Sequence, residues 1–119
     1  MNYMGIERRR NPRVNASFIV SYRVIEETEH INVSQAKNIS LGGMLLTTNR
    51  KLGAGTNIAL DIRLPFDPDP IMLTGKVIES REITKDLIYD TRIMFLAIDA
   101  KHRDMLKESI DYYIKKGQR

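Results

Sequence analysis

The fold is decided by the stretch Ile58-Ala59-Leu60-Asp61-Ile62-Arg63-Leu64, in which every second residue is a large aliphatic one. A period of two is the pattern of a β-strand that has one face in a core and the other in water. Residues 65–70 read Pro-Phe-Asp-Pro-Asp-Pro and end this strand, because proline has no amide hydrogen to donate to a neighbouring strand. The stretch therefore predicts one half-buried strand of a β protein.

Similar patterns recur on both sides of this stretch. The other predicted strands cover residues 16–24, 31–37, 44–47, 71–83 and 87–96. Asp99 is typical of a helix N-cap, and residues 100–116 carry apolar side chains at helical spacing. Short strands followed by one helix, without alternation of the two, predict a mainly β fold. We expect a six-stranded antiparallel β-barrel with a C-terminal α-helix.

Composition excludes several classes of function. The chain has 119 residues and no cysteine, so it fits one domain without disulfides, thiolate catalysis or zinc–thiolate sites. His30 and His102 are its only histidines and lie far apart, so no metal site is expected. The sequence contains none of the common catalytic motifs, and we predict that it is not an enzyme. The first residues include no long apolar run, so we expect no membrane span and a cytoplasmic location.

The positive charge is concentrated at the N-terminus. Residues 1–13 hold four Arg and one Glu, a net charge of +3. Residues 14–119 hold the remaining 15 Lys and Arg and 14 Asp and Glu, a net charge of +1. This division predicts a flexible basic arm, 1–13, in front of a barrel domain, 14–119. Such a pattern favours an anionic partner that binds at the arm.

Two short motifs offer the chemistry of a nucleotide site. Arg9 and Arg13 form Arg-x-x-x-Arg, and a guanidinium can pair with phosphate or with the O6/N7 edge of guanine. Asn38, Ser40 and Gly43 form Asn-x-Ser-x-x-Gly, within a segment 38–43 whose composition predicts a turn. The amide and hydroxyl can bind a base, and glycine leaves room for a close approach. The second motif is much the more selective of the two.

At these residues the chain resembles the PilZ domain family, bacterial receptors for cyclic di-GMP. That family carries Arg-x-x-x-Arg in an N-terminal loop and then Asp/Asn-x-Ser-x-x-Gly. The resemblance extends through Gly75-Lys76-Val77 and Ile93-Met94-Phe95, so it covers most of the chain. It implies a six-stranded antiparallel barrel, in agreement with the strand count above. It also implies, in general terms, a role in the control of motility, biofilm or polysaccharide.

The resemblance implies a role for each motif residue. Arg9 and Arg13 would hold phosphates and guanine edges of cyclic di-GMP. Asn38 and Ser40 would bind a guanine, and Gly43 would allow the ligand to approach. Arg8, just before the first motif, implies two stacked ligand molecules per chain.

Two positions depart from the commonest family pattern. Asn38 stands where Asp is frequent, and an amide has one acceptor oxygen where a carboxylate has two, so weaker binding is expected. Arg92 stands where many members have Gly. It is expected to affect strand packing or the exposed barrel face rather than the ligand.

The favoured hypothesis is a cyclic di-GMP receptor whose arm 1–13 becomes fixed across the barrel by the ligand and is then read by an unidentified downstream protein. One alternative is an adaptor on the same fold that binds no nucleotide and acts through protein contacts. The other alternative is a small barrel that binds RNA or DNA through the arm. It is the least favoured, because aromatic residues are only 7% of the chain and mostly occupy core-type positions.

Overall fold

The fold is seen in a computed structural model, which describes residues 13–15, 17–27, 30–64 and 69–117. Its strands are β1 (Phe18–Val24), β2 (Asn32–Ile39), β3 (Gly43–Thr48), β4 (Asn57–Arg63), β5 (Ile71–Thr84) and β6 (Ile88–Ala97). One helix, α1 (Ala100–Gly117), follows β6.

The six strands form one closed barrel in the order β1-β2-β3-β6-β5-β4, and every neighbouring pair is antiparallel. The predicted fold is therefore confirmed. Because the sheet closes on itself, none of the six strands is left as an unpaired edge. Side chains alternate between the inside of the barrel and its outer surface, and this alternation decides which residues can meet a ligand.

The interior is filled by the aliphatic side chains that the period of two singles out. Val20, Ile58, Leu60 and Ile62 are almost completely buried, in β1 and β4. Ala59 and Asp61, which alternate with the three buried residues of β4, are only partly buried. Burial of each large aliphatic side chain contributes roughly 1.5–3 kcal/mol, so this alternation fixes which face of the strand lies inside.

The helix packs against the core of the barrel. The Asp99 side chain accepts a hydrogen bond of 2.9 Å from the backbone N–H of His102, which confirms the predicted N-cap. Leu106 and Ile110 are buried in the core, and the ring of Tyr113 meets Phe18 of β1 edge to face with 5.4 Å between centroids. No helix in the described part of the chain has the length and apolarity needed to cross a membrane.

The predicted turn over residues 38–43 is shorter than expected. Asn38 continues β2, Gly43 begins β3, and only the residues between Ile39 and Gly43 lie outside the strands. The pairing of β2 with β3 is irregular between Ala36 and Asn38, which leaves Lys37 as the extra residue of a β-bulge. Polar turn-forming residues thus continue a strand here, because the bulge lets β2 keep its hydrogen bonds to β3.

Candidate ligand-binding site

The candidate site is built where the end of the N-terminal segment meets β2. Val14 forms an isolated bridge with Ile39, in which the N–H of each residue donates to the carbonyl of the other, at 2.9 and 3.1 Å. Val14 is itself buried in the core. These contacts hold Arg13 beside Asn38, although 25 residues separate them in sequence.

Arg13 and Asn38 are in direct contact. Nη1 of Arg13 donates a hydrogen bond of 2.6 Å to Oδ1 of Asn38. Since guanidinium has only donors, this contact fixes which end of the amide carries the oxygen. An amide oxygen has two lone pairs, so Asn38 keeps one acceptor position and its two N–H donors for a ligand. The contact joins the two motifs that the sequence identified separately.

Ser40 holds the turn between β2 and β3. It is only 4% exposed, its hydroxyl accepts a hydrogen bond from the Gly42 N–H at 3.2 Å, and it donates to the Gly43 carbonyl at 3.4 Å. Its backbone N–H also donates to the Gly43 carbonyl, at 2.8 Å. Ser40 therefore shapes the loop beside Asn38, a role that the sequence analysis did not assign to it.

Gly43 lies where the backbones of β3 and β6 approach each other closely. A Cβ atom built on Gly43 would overlap the carbonyl oxygen of Ile93 and lie 3.3 Å from its carbonyl carbon. The neighbouring carbonyl, that of Gly42, accepts a hydrogen bond of 2.9 Å from the Phe95 N–H. The barrel itself thus needs glycine at this position, whatever use a ligand makes of the space.

Of the residues predicted from the motifs, the structure brings together Arg13, Asn38, Ser40 and Gly43. Arg8 and Arg9 lie outside the described residues. Of the predicted arm 1–13, only Arg13 is described, and it contacts Asn38 on the barrel.

A partly buried ion pair next to the site was not predicted from the sequence. Nζ of Lys37, the bulge residue, lies 2.7 Å from Oδ1 of Asp90 on β6. The Asp90 side chain is 10% exposed and that of Lys37 is 47% exposed, so the lysine lies over a nearly buried carboxylate. A lysine in a strand gives no sequence signal for this pairing. In the described residues there is no group of three His, Cys, Asp or Glu side chains that could hold a metal ion.

Comparison with family models decides the classification. The model described as PilZ domain matches residues 7–112. The chain belongs to the PilZ domain family. This is a family of non-catalytic receptors for cyclic di-GMP. The match spans both motifs and every strand of the barrel, and it continues through most of α1.

Solved structures place this PilZ domain in the same fold. The Bacillus subtilis inhibitor of motility MotI/DgrA is 22% identical with a TM-score of 0.74, over 93% of this chain and 51% of that one. The K. pneumonia MrkH–c-di-GMP complex is 19% identical with a TM-score of 0.73, over 93% and 54%. The PilZ domain of YcgR from Escherichia coli, solved with c-di-GMP, is 16% identical with a TM-score of 0.68, over 93% and 95%.

These similarities are structural rather than close in sequence. The chain spans about half the length of MotI/DgrA and of MrkH. Comparison of the sequence with curated proteins finds no match.

Proposed function

We propose that this PilZ domain is a receptor for cyclic di-GMP. The observation that carries the proposal is the hydrogen bond from Arg13 to Asn38, which unites the arginine motif and the Asn-x-Ser-x-x-Gly motif on the barrel surface. The solved c-di-GMP complexes of YcgR and MrkH, which share the fold, support the choice of ligand.

The chemistry of the residues fits this ligand. The guanidinium of Arg13 is a planar donor fork, whose shape suits pairing with a phosphate or with the O6/N7 edge of guanine. Asn38 offers its amide donors and one acceptor position to the base. Ser40 keeps the loop in the shape that presents Asn38. Arg8 and Arg9, which precede the anchored Arg13, would supply further donors to the phosphates.

The signalling step in this proposal is an ordering of the arm. Arg13 lies on the barrel beside Asn38, and the other arginines of the arm precede it closely in sequence. Binding of an anionic dinucleotide would offset their mutual repulsion and hold residues 1–12 across the site, since the ligand favours the state in which it has more contacts. A downstream protein in the cytoplasm would then read the new surface.

Calorimetric titration with cyclic di-GMP tests the proposal. We expect saturable binding by the wild-type chain, loss of binding in Arg9→Ala and Arg13→Ala, and no heat with GTP. Saturation at two ligands per chain would agree with the role assigned to Arg8, and saturation at one would contradict that stoichiometry.

Two other results would favour the alternatives. A folded wild-type chain that gives no heat at high ligand concentration would favour the nucleotide-free adaptor. Binding to any single-stranded DNA or RNA, with a steep decrease as salt rises, would instead favour a nucleic-acid-binding barrel.

A further inference from the structure

The strand register places a second arginine on the outer face of the candidate site. Asn38 of β2 is directly opposite Leu45 of β3, and Leu45 is directly opposite Arg92 of β6. Residues directly opposite each other in antiparallel strands point to the same face. Asn38, Leu45 and Arg92 therefore form one row across the barrel surface.

Burial confirms which face this is. Met44 and Leu46, on either side of Leu45, are completely buried, as is Ile93, which follows Arg92. Leu45 is half-buried and Arg92 is exposed. Neighbouring strands lie about 4.8 Å apart, so the Cα atoms of Asn38 and Arg92 are about 10 Å apart. A dinucleotide lying on Asn38 can reach across this distance.

Arg92 has its donors available for a ligand. Within the part of the chain that the structure describes, its side chain makes no hydrogen bond or ion pair. Glu79 of β5 is directly opposite it, yet these two side chains are not paired as ions. Arg13 approaches Asn38 from the other side, through the bridge between Val14 and Ile39. Asn38 is therefore flanked by one arginine on each side.

The surface between Asn38 and Arg92 is apolar. Leu45 lies in the row itself, and Met94, which is 44% exposed, lies beside Arg92 and opposite Gly43. Purine rings have broad faces that pack well on such side chains. A nucleotide has a flat base and anionic phosphates. An apolar floor with cationic donors at its two edges fits such a ligand better than it fits a polypeptide or a metal ion.

We propose that Arg92 is a further ligand-binding residue of this site, which pairs with a phosphate of the bound dinucleotide, and that Leu45 and Met94 form the floor beneath a base. This inference rests on the proposed function. It also replaces the expectation that Arg92 affects only strand packing or the barrel surface. The register supports a role toward the ligand, because it puts Arg92 in the same row as Asn38.

Titration of Arg92→Ala, Arg92→Lys and Glu79→Gln with cyclic di-GMP tests the inference. Loss of a charge-assisted contact should weaken binding by Arg92→Ala about tenfold or more. Arg92→Lys should retain part of the affinity and keep the salt dependence of the wild type. Glu79→Gln should bind slightly more tightly, because it removes a negative charge next to the phosphate.

Arg63→Ala is the matched control, since Arg63 is an exposed arginine of β4 on the opposite side of the barrel.

The outcomes separate the two proposals. If the wild type binds, Arg13→Ala does not, and Arg92→Ala binds as the wild type does, the inference about Arg92 is overturned while the receptor function stands. If the wild type itself fails to bind, both are overturned. The melting temperature of ligand-free Arg92→Ala should equal that of the wild type. A clear decrease in it, without any change in salt dependence, would assign Arg92 to strand packing and overturn the inference.

Discussion

The guanidinium of Arg13 donates to the amide oxygen of Asn38 across 2.6 Å, and this contact ties the N-terminal segment to the β2–β3 side of the barrel. Arg13 belongs to the arginine motif and Asn38 to the Asn-x-Ser-x-x-Gly motif, so each motif positions a side chain of the other. The bridge between Val14 and Ile39 makes the contact possible, since it aligns the two backbones. Arg13 and Asn38 therefore hold each other in place, and such preorganisation lowers the ordering cost of binding in general.

Replacement of Arg13 should remove ligand binding through two effects. Arg13→Ala deletes donors to the ligand and also frees the amide of Asn38 to turn. We expect at least a hundredfold loss of affinity for cyclic di-GMP, of the order that a charge-assisted contact and loss of preorganisation produce together. Arg13→Lys should recover only part of it, because an ammonium has no planar fork. Calorimetry measures both.

The control for this prediction is Arg23→Ala. Arg23 lies on β1 and donates only to the nearby Ile25 carbonyl, at 3.1 Å, among the described contacts. Its removal lowers the net charge by the same amount, at the end of β1 that pairs with the start of β2 and thus away from Asn38. If Arg23→Ala weakens binding as much as Arg13→Ala does, the effect is one of overall charge and the contact with Asn38 is not what matters.

The change Asn38→Asp should strengthen ligand binding. A carboxylate would form an ion pair with Arg13 in place of the neutral acceptor and still offer acceptor positions to guanine N1–H and N2–H. Hydrogen bonds to charged groups exceed neutral ones by about 1 kcal/mol, which predicts an affinity gain of about five- to tenfold. Titration of the variant against the wild type at equal salt measures it. Weaker binding by Asn38→Asp would mean instead that the amide N–H donors contact the base.

Local patterns were sufficient to predict the barrel but not the register of its strands. Alternation along Ile58–Leu64 identified β4 because aliphatic burial has a period of two in any strand. The pairing of β5 with β6 contains irregularities near Thr74, Val77 and Glu82, and each shifts the side chains that follow it. Such shifts depend on contacts between strands, which a single sequence does not display.

The site shows the same division between local and long-range information. The motifs named Asn38 and Arg13 as binding residues through their chemistry. That they touch depends on the Val14–Ile39 bridge, and the place of Arg92 depends on strand register. The pairing of Lys37 with Asp90 likewise involves the bulge in β2, which lies where the predicted strand 31–37 ends and the predicted turn 38–43 begins.

Gly43→Ala should destabilise the barrel even in the absence of ligand. The new methyl would overlap the carbonyl oxygen of Ile93, and the backbone cannot easily withdraw because the Ser40 N–H and the Gly43 carbonyl are hydrogen-bonded to each other at 2.8 Å. Overpacking of this kind costs about 1–3 kcal/mol of unfolding free energy. Chemical denaturation without ligand measures this loss of stability.

Gly53→Ala is the control, because the nearest atom to its new methyl, Thr56 Oγ1, would be 3.8 Å away. Equal stability of the two variants would refute this account of Gly43.

The stability of the protein should depend on pH through Glu27. This residue lies in the loop after β1 and pairs with Arg50 in the loop after β3. Arg50 donates two hydrogen bonds to this carboxylate, at 2.5 and 3.2 Å, and they hold the pKa of Glu27 below its usual value. A carboxylate with a lowered folded-state pKa adds stability above its unfolded pKa, and that stability is lost as pH falls through the folded value. Thermal unfolding of the wild type and Glu27→Gln should therefore differ at neutral pH and converge as the pH falls through the lowered pKa of Glu27. Glu26→Gln, at the exposed neighbouring position, should match the wild type throughout this range. A difference between the wild type and Glu27→Gln that persists unchanged in acid would show that the amide disturbs the loop by its shape and that the charge of Glu27 plays no part.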